Sequence, residues 1–232
     1  MGFALLIVFM FVAFGLTTLF RRWIDIPTLL AVAIGCAVNA NIFTPLNSGV
    51  TVGPFIFSIE AILYTLFMYT IVIRILDYGY KAAKTMTLTS VAAIIISAII
   101  EFVALVSYEG FVFISTLKTF SFYFLSSLGT IAGVWIMILL TIQLRKKNVN
   151  SYVIIPIAII TSGLIHSVIY YGGMALIEWD INDNAVAMIL GAIIGKGVCI
   201  GLSVFCYFIN QKWWKPLSLI SKEKEYDRVI KK

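Results

Sequence analysis

Charge is what this sequence has least of. Charged side chains make up 12% of its 232 residues, about half of the roughly 25% usual in a soluble domain. Apolar residues make up 61%, and the mean hydropathy is +1.03. A globular domain of this length needs a polar outer layer that these residues do not provide, so lipid is the expected solvent. Histidine occurs once and cysteine three times, and there are eleven acids in all. That leaves little for a metal cage or for a nucleophile with its base. Cys199 and Cys206 are separated by a helical rise of roughly 10 Å, too far for a disulfide, and Cys36 lies in another apolar run; all three read as packing residues. No phosphate-binding loop or metal cluster is present, and the Ser162 to His166 spacing is one that hydroxyl packing produces in any helix. The expectation is a protein that is not an enzyme and needs no cofactor.

What is abundant is long apolar runs. They lie at about 2–20, 27–43, 53–76, 87–108, 120–143, 151–177 and 184–209, each close to the ~20 residues a bilayer core requires. The sequence therefore predicts an all-α integral membrane protein: a seven-helix transmembrane bundle over 1–210 and a basic tail over 211–232. The first run is read as a helix and not a cleaved leader, because its positive charges, Arg21 and Arg22, follow it. Lysine and arginine alternate by loop. Clusters at Arg21-Arg22, at Arg74, Lys81 and Lys84, at Arg145 to Lys147 and in the tail hold 15 of the 17 basic residues. The positive-inside rule then puts the C-terminus in the cytoplasm and the N-terminus outside, with the chain multi-pass in the cell (cytoplasmic, or inner) membrane. The net charge of +6 is the cytoplasmic side of the bundle and no sign of nucleic acid.

Few ionisable groups lie inside these spans: Glu60, Glu101, His166 and Lys196. At 1.5 Å per residue, Glu60 and Glu101 fall roughly 10 Å below the outer surface and His166 and Lys196 roughly 16–18 Å, near the midplane. Asn39 and Asn41 lie near the outer end of the second span. Charges in lipid are costly, at least ~2.5–3.5 kcal/mol each, and usually face a bundle interior or a wet cavity. The six side chains are read as lining one polar cavity reached from outside and floored by Lys196, suited to a ligand rich in hydrogen-bonding edges such as a nucleobase-like or vitamin-like heterocycle. The plainer reading is that Lys196 pairs with Glu60 or Glu101 and that His166 bonds a hydroxyl such as Ser162 or Thr161. Gly129 with Gly133, and Gly191, Gly195, Gly197 and Gly201 around Lys196, form small-residue pairs expected to pack helices closely. Trp213 and Trp214, between Lys212 and Lys215, read as an interfacial anchor.

The segments Ala40-Asn41-Ile42, Val52 to Phe57, and above all Asp77-Tyr78-Gly79-Tyr80-Lys81-Ala82-Ala83-Lys84 resemble the vitamin uptake transporter family, which includes queuosine-precursor transporters. In that family an acid-Tyr-Gly element followed by a basic run ends one helix and opens the next on the cytoplasmic side. Asp77, Tyr78, Gly79 and Lys81 stand at those positions. The family's acid a turn earlier has no counterpart, since Ile73 and Arg74 stand there, and His166 takes the place of an acid in the penultimate helix. The resemblance implies uptake of a small molecule. A related use of such modules is as membrane sensor domains working through a cytoplasmic signalling partner, here at the tail; as the sequence runs to residue 232 without a signalling domain, a free-standing transporter is the leading expectation. Whether it forms a homo-oligomer stays open. A third reading is a retinal protein, with Lys196 as the Schiff base and Glu60 as counter-ion, although Trp135 is the lone tryptophan within the spans.

Overall fold

The computed structural model describes residues 8, 10, 12–16, 18, 35, 49–52, 55–109, 113–178 and 183–213. The described residues between 8 and 18 are helical, as is Gly35. A hairpin and five helices follow: β1 (Gly49–Val52), β2 (Phe55–Ser58), α1 (Ile59–Tyr78), α2 (Tyr80–Glu109), α3 (Phe113–Lys146), α4 (Ser151–Glu178) and α5 (Asp183–Trp213). The fold is thus helical apart from one short hairpin.

The hairpin corrects the expected third span. β1 and β2 pair antiparallel, Gly49 opposite Ser58 and Val52 opposite Phe55, so residues 55–58 are strand and α1 starts only at Ile59. Thr51, Val52, Phe55, Ile56 and Phe57 are the β-branched and aromatic types that fit a pleated surface. An apolar run by itself does not distinguish strand from helix. β2 packs against α5.

The basic loop expected after that span also changes. Arg74 lies inside α1 with no exposure, and Lys81 and Lys84 belong to the first two turns of α2. Gly79 alone separates the two helices. It adopts a left-handed φ of 70° and donates its N–H to the Ile75 carbonyl at 2.8 Å, the bond that closes a helix through a left-handed residue. Any side chain there would be strained. The Tyr-Gly element of the sequence is, physically, a helix stop that permits an immediate restart.

α3 and α4 are joined as tightly. Asn148 takes φ 54°, its N–H bonds the Arg145 carbonyl, and Val149 N–H bonds the Leu144 carbonyl, the paired bonds of a Schellman stop. Asn150 then accepts from Tyr152 N–H through Oδ1 at 3.0 Å and caps the start of α4.

α1 is the axis of the molecule. Every residue from Ala61 to Leu76 is buried, and the helix contacts each of α2 to α5. The N-terminal segment covers it further, with Thr18 Oγ1 2.8 Å from Tyr69 Oη and the Phe14 ring 5.5 Å from that of Tyr69, and it also meets α5, where Cys199 Sγ reaches Met10 Sδ at 3.3 Å. Threonine hydroxyls at 18, 65, 70, 130, 141 and 161 each donate to the carbonyl four residues earlier at 2.6–2.8 Å, so these threonines are satisfied within their own helices.

The outer faces are apolar. Leu88, Ile96, Ile99 and Ile100 of α2, Trp135 and Leu139 of α3, and Leu164 and Val168 of α4 are among the large exposed side chains. Among the described residues, Tyr123–Lys146 and Ser151–Met174 are long and apolar enough to cross a membrane, and Leu88–Ile100 and Ile193–Ile209 are shorter apolar stretches. One end of the bundle gathers several helix termini. Arg145 Nη1 at the end of α3 donates to the Ile75 carbonyl near the end of α1 at 2.8 Å, and Tyr152, opening α4, packs on Tyr207 and Phe208 of α5.

Candidate small-molecule site

α1, α3, α4 and α5 converge on Tyr64, in the second turn of α1 and 3% exposed. Its hydroxyl pairs with Ser162 Oγ of α4 at 2.8 Å and donates to the Ser162 carbonyl at 3.2 Å. Ser162 Oγ in turn donates to Met68 Sδ, one turn along α1, at 3.3 Å. This close approach depends on α3. A Cβ at Gly133 would stand 2.6 Å from Tyr64 Oη and 2.7 Å from Ser162 Oγ, and one at Gly129 would stand 3.2 Å from the His166 carbonyl oxygen and 3.3 Å from its ring. The Gly129 and Gly133 pair read from the sequence thus has a defined partner: the Tyr64, Ser162 and His166 group.

His166 is buried, tilted against Tyr64 with centroids 4.5 Å apart and stacked on Tyr170 at 5.8 Å. Lys196 of α5 approaches the same tyrosine: its Nζ lies 5.2 Å from the Tyr64 centroid and donates to Ser167 Oγ at 3.1 Å. At that distance the ammonium gains from the ring's negative face, more so away from water. A Cβ at Gly163 would stand an ordinary 3.6 Å from Lys196 Cδ, and α4 offers the lysine stem a slot. The hydroxyls named for His166 from sequence are engaged elsewhere as well, Ser162 with Tyr64 and Met68, and Thr161 with the Ile157 carbonyl.

Between α1, α4 and α5 lies a cavity of about 200 Å³. Tyr64, Thr65, Ser167 and Lys196 are its polar wall residues, and the rest is aliphatic and glycine. Thr65 gives its hydroxyl to the Ala61 carbonyl and Tyr64 directs its own to Ser162, which leaves the Lys196–Ser167 pair and the face of the Tyr64 ring to meet a ligand. His166 is not in the wall; it stands behind Tyr64. Two expected site residues, His166 and Lys196, are therefore brought to one side chain, Tyr64, that the sequence reading did not single out.

The other expected residues are not brought to this point by anything described. Glu60 is the second residue of α1, one turn before Tyr64, and not roughly 10 Å along a helix that starts at 53 as expected; Glu101 lies eight residues before the end of α2. Their side chains, with those of Tyr78 and Lys81, lie outside the described residues, as do Asn39, Asn41 and Trp214 entirely. Asp77 is half-buried near the end of α1. For α5 the expectation needs correction at one of its two pairs: Gly195 is buried, whereas no atom stands within 4 Å of a Cβ at Gly197 or Gly201, so the Gly197 and Gly201 pair packs against nothing described. Cys199 and Cys206 are buried free thiols. Two residues were missed. Arg74 could have been found, since it falls inside the expected span 53–76; Tyr64 is one of eleven tyrosines and no spacing marks it.

In comparison with known proteins, the chain matches no family model, no curated protein and no solved structure.

Proposed function

We propose that the chain is a multi-pass protein of the cell membrane, a seven-helix bundle with its N-terminus outside and its C-terminus in the cytoplasm, that binds and moves a small molecule. One observation carries the reading: a lysine in mid-helix, held by Ser167 and Tyr64, lines a cavity among helices whose outer faces are apolar. An ammonium at membrane depth is costly and marks function by default. The alternation of basic clusters supports the orientation.

The cavity also bears on the ligand. Its walls are mostly aliphatic, which suits a compact molecule, apolar over most of its surface, with one acceptor turned to Lys196. A nucleobase-like heterocycle of the vitamin-uptake type requires Glu60 and Glu101 as further partners. A retinal Schiff base is disfavoured, since a polyene of that size exceeds about 200 Å³ and Trp135 is on the outer face of α3.

The test is purified protein in nanodiscs screened for ligand-induced thermal shifts against nucleobases, deazapurines, vitamins and small carboxylates, followed by counterflow in proteoliposomes. A shift that Lys196→Met abolishes, together with counterflow, is expected. Binding without flux identifies a sensing domain instead, and wild-type behaviour of Lys196→Met removes the site.

A further inference from the structure

The cavity beside Lys196 opens sideways. Ile160 and Leu164 of α4 and Ile193 of α5 form its outer lip and are 46%, 59% and 53% exposed. Gly197, also in the wall, has open space where a Cβ would be. The lip continues into the outward faces that carry Ile157, Val168 and Val198. Faces so apolar belong against hydrocarbon. Ser167 and Lys196 stand near the middle of helices of 28 and 31 residues, so the opening is level with acyl chains and far from either helix end. The polar groups lie at the inner wall, where Lys196 Nζ is 3.1 Å from Ser167 Oγ.

We propose that the ligand is an amphiphile with a hydrogen-bond-accepting head, and that it reaches Lys196 from within the bilayer through the gap between α4 and α5. This rests on reading the cavity as a ligand site. The size fits: an apolar cavity of about 150 Å³ takes benzene, so about 200 Å³ takes a head and the first few carbons, while a longer tail stays outside the lip among the lipid chains. The charge fits as well, since the ammonium at the closed end complements a carboxylate and the aliphatic lip complements a chain. A molecule arriving from water would meet neither in that order.

The full chain in phosphatidylcholine nanodiscs is photolysed with decanoic acid carrying a diazirine near its carboxyl group, and the labelled peptides are mapped by mass spectrometry. Labelling is expected within 159–167 and 193–200 and is lowered about tenfold by a roughly tenfold excess of decanoate over probe, but not by acetate. Decanol as competitor separates an ionic head from a neutral one. Leu164→Trp and Ile193→Trp, each at an exposed position on opposite sides of the gap, are expected to cut labelling by a similar factor. Labels spread equally over the outer faces of α2 and α3, or unchanged in both tryptophan variants, would overturn the proposal. If a water-soluble ligand stabilises the wild type and both variants equally while decanoate labels nothing, the lateral route fails and the cavity reading stands. Absence of every label and every thermal shift takes both down.

Discussion

Tyr64 and Arg74 are ten residues apart on α1, a rise of roughly 15 Å, and each puts a polar group on a helix with no outward face. Their surroundings are built differently. From Leu66 to Ile75 every residue is at most 4% exposed, Arg74 among them, and most are large: Phe67, Met68, Tyr69 and three isoleucines. That level also ties the molecule together, through Thr18 on Tyr69 and Arg145 on the Ile75 carbonyl. At the level of Tyr64 the neighbours are Gly133, Ser162, Gly163 and Ser167, and the space that large side chains would occupy is a cavity. One helix thus has a filled level that holds the bundle and a thinned level that admits something else. Small residues make the difference, and a glycine counts as packing or as space according to what stands opposite it.

Substitutions test that division. The largest effect is expected at the filled level: Arg74→Ala leaves a void where one of the largest fully buried side chains stood, at about 2–5 kcal/mol, seen as loss of folded protein in detergent or a large fall in thermal midpoint. A midpoint near that of the wild type would show the level to be loosely built. Next, Gly133→Val drives a side chain into the Tyr64 and Ser162 oxygens and is expected to cost about 1–3 kcal/mol, with ligand binding lost before the fold is; tolerance of valine would mean that α3 does not approach this closely. Gly79→Ala imposes a left-handed residue with a Cβ, about 1–2 kcal/mol, measurable as a lowered denaturation midpoint with binding intact. Tyr64→Phe deletes one hydroxyl pair, about 0.5–1.5 kcal/mol, and equal ligand affinity in this variant would exclude the tyrosine hydroxyl from the site. Smallest of all, Gly197→Ala faces open space and should change stability by less than about 0.5 kcal/mol. If it matched Gly133→Val in a thermal melt, the contrast between the two glycine pairs would collapse.

Long apolar runs were the legible part of the sequence. α3, α4 and α5 extend the runs expected at 120–143, 151–177 and 184–209 by a few residues at most ends, because length and composition suffice to mark such helices. The hairpin was not legible as such: Val52 to Phe57 reads equally as the top of a helix, and only tertiary packing against α5 decides. Arg74 was misassigned because a charge near the end of a run was given to the next loop, whereas Gly79 fixes the helix end five residues later. Lys196 and His166 were visible as ionisable groups inside long apolar runs. Tyr64, which joins them, was not, since a tyrosine in an apolar run is unremarkable until its hydroxyl has a partner 98 positions away in the chain.

The enclosure of α1 has a consequence for what its sequence accepts. Residues 61–76 are buried on every side, so a substitution anywhere along them meets a packed interior, whereas side chains such as Leu88, Trp135 and Val168 on the neighbouring helices stand exposed. Shape and hydrogen bonding, more than average apolarity, therefore decide which residues fit α1, and that is the setting in which a tyrosine and an arginine stand among its isoleucines.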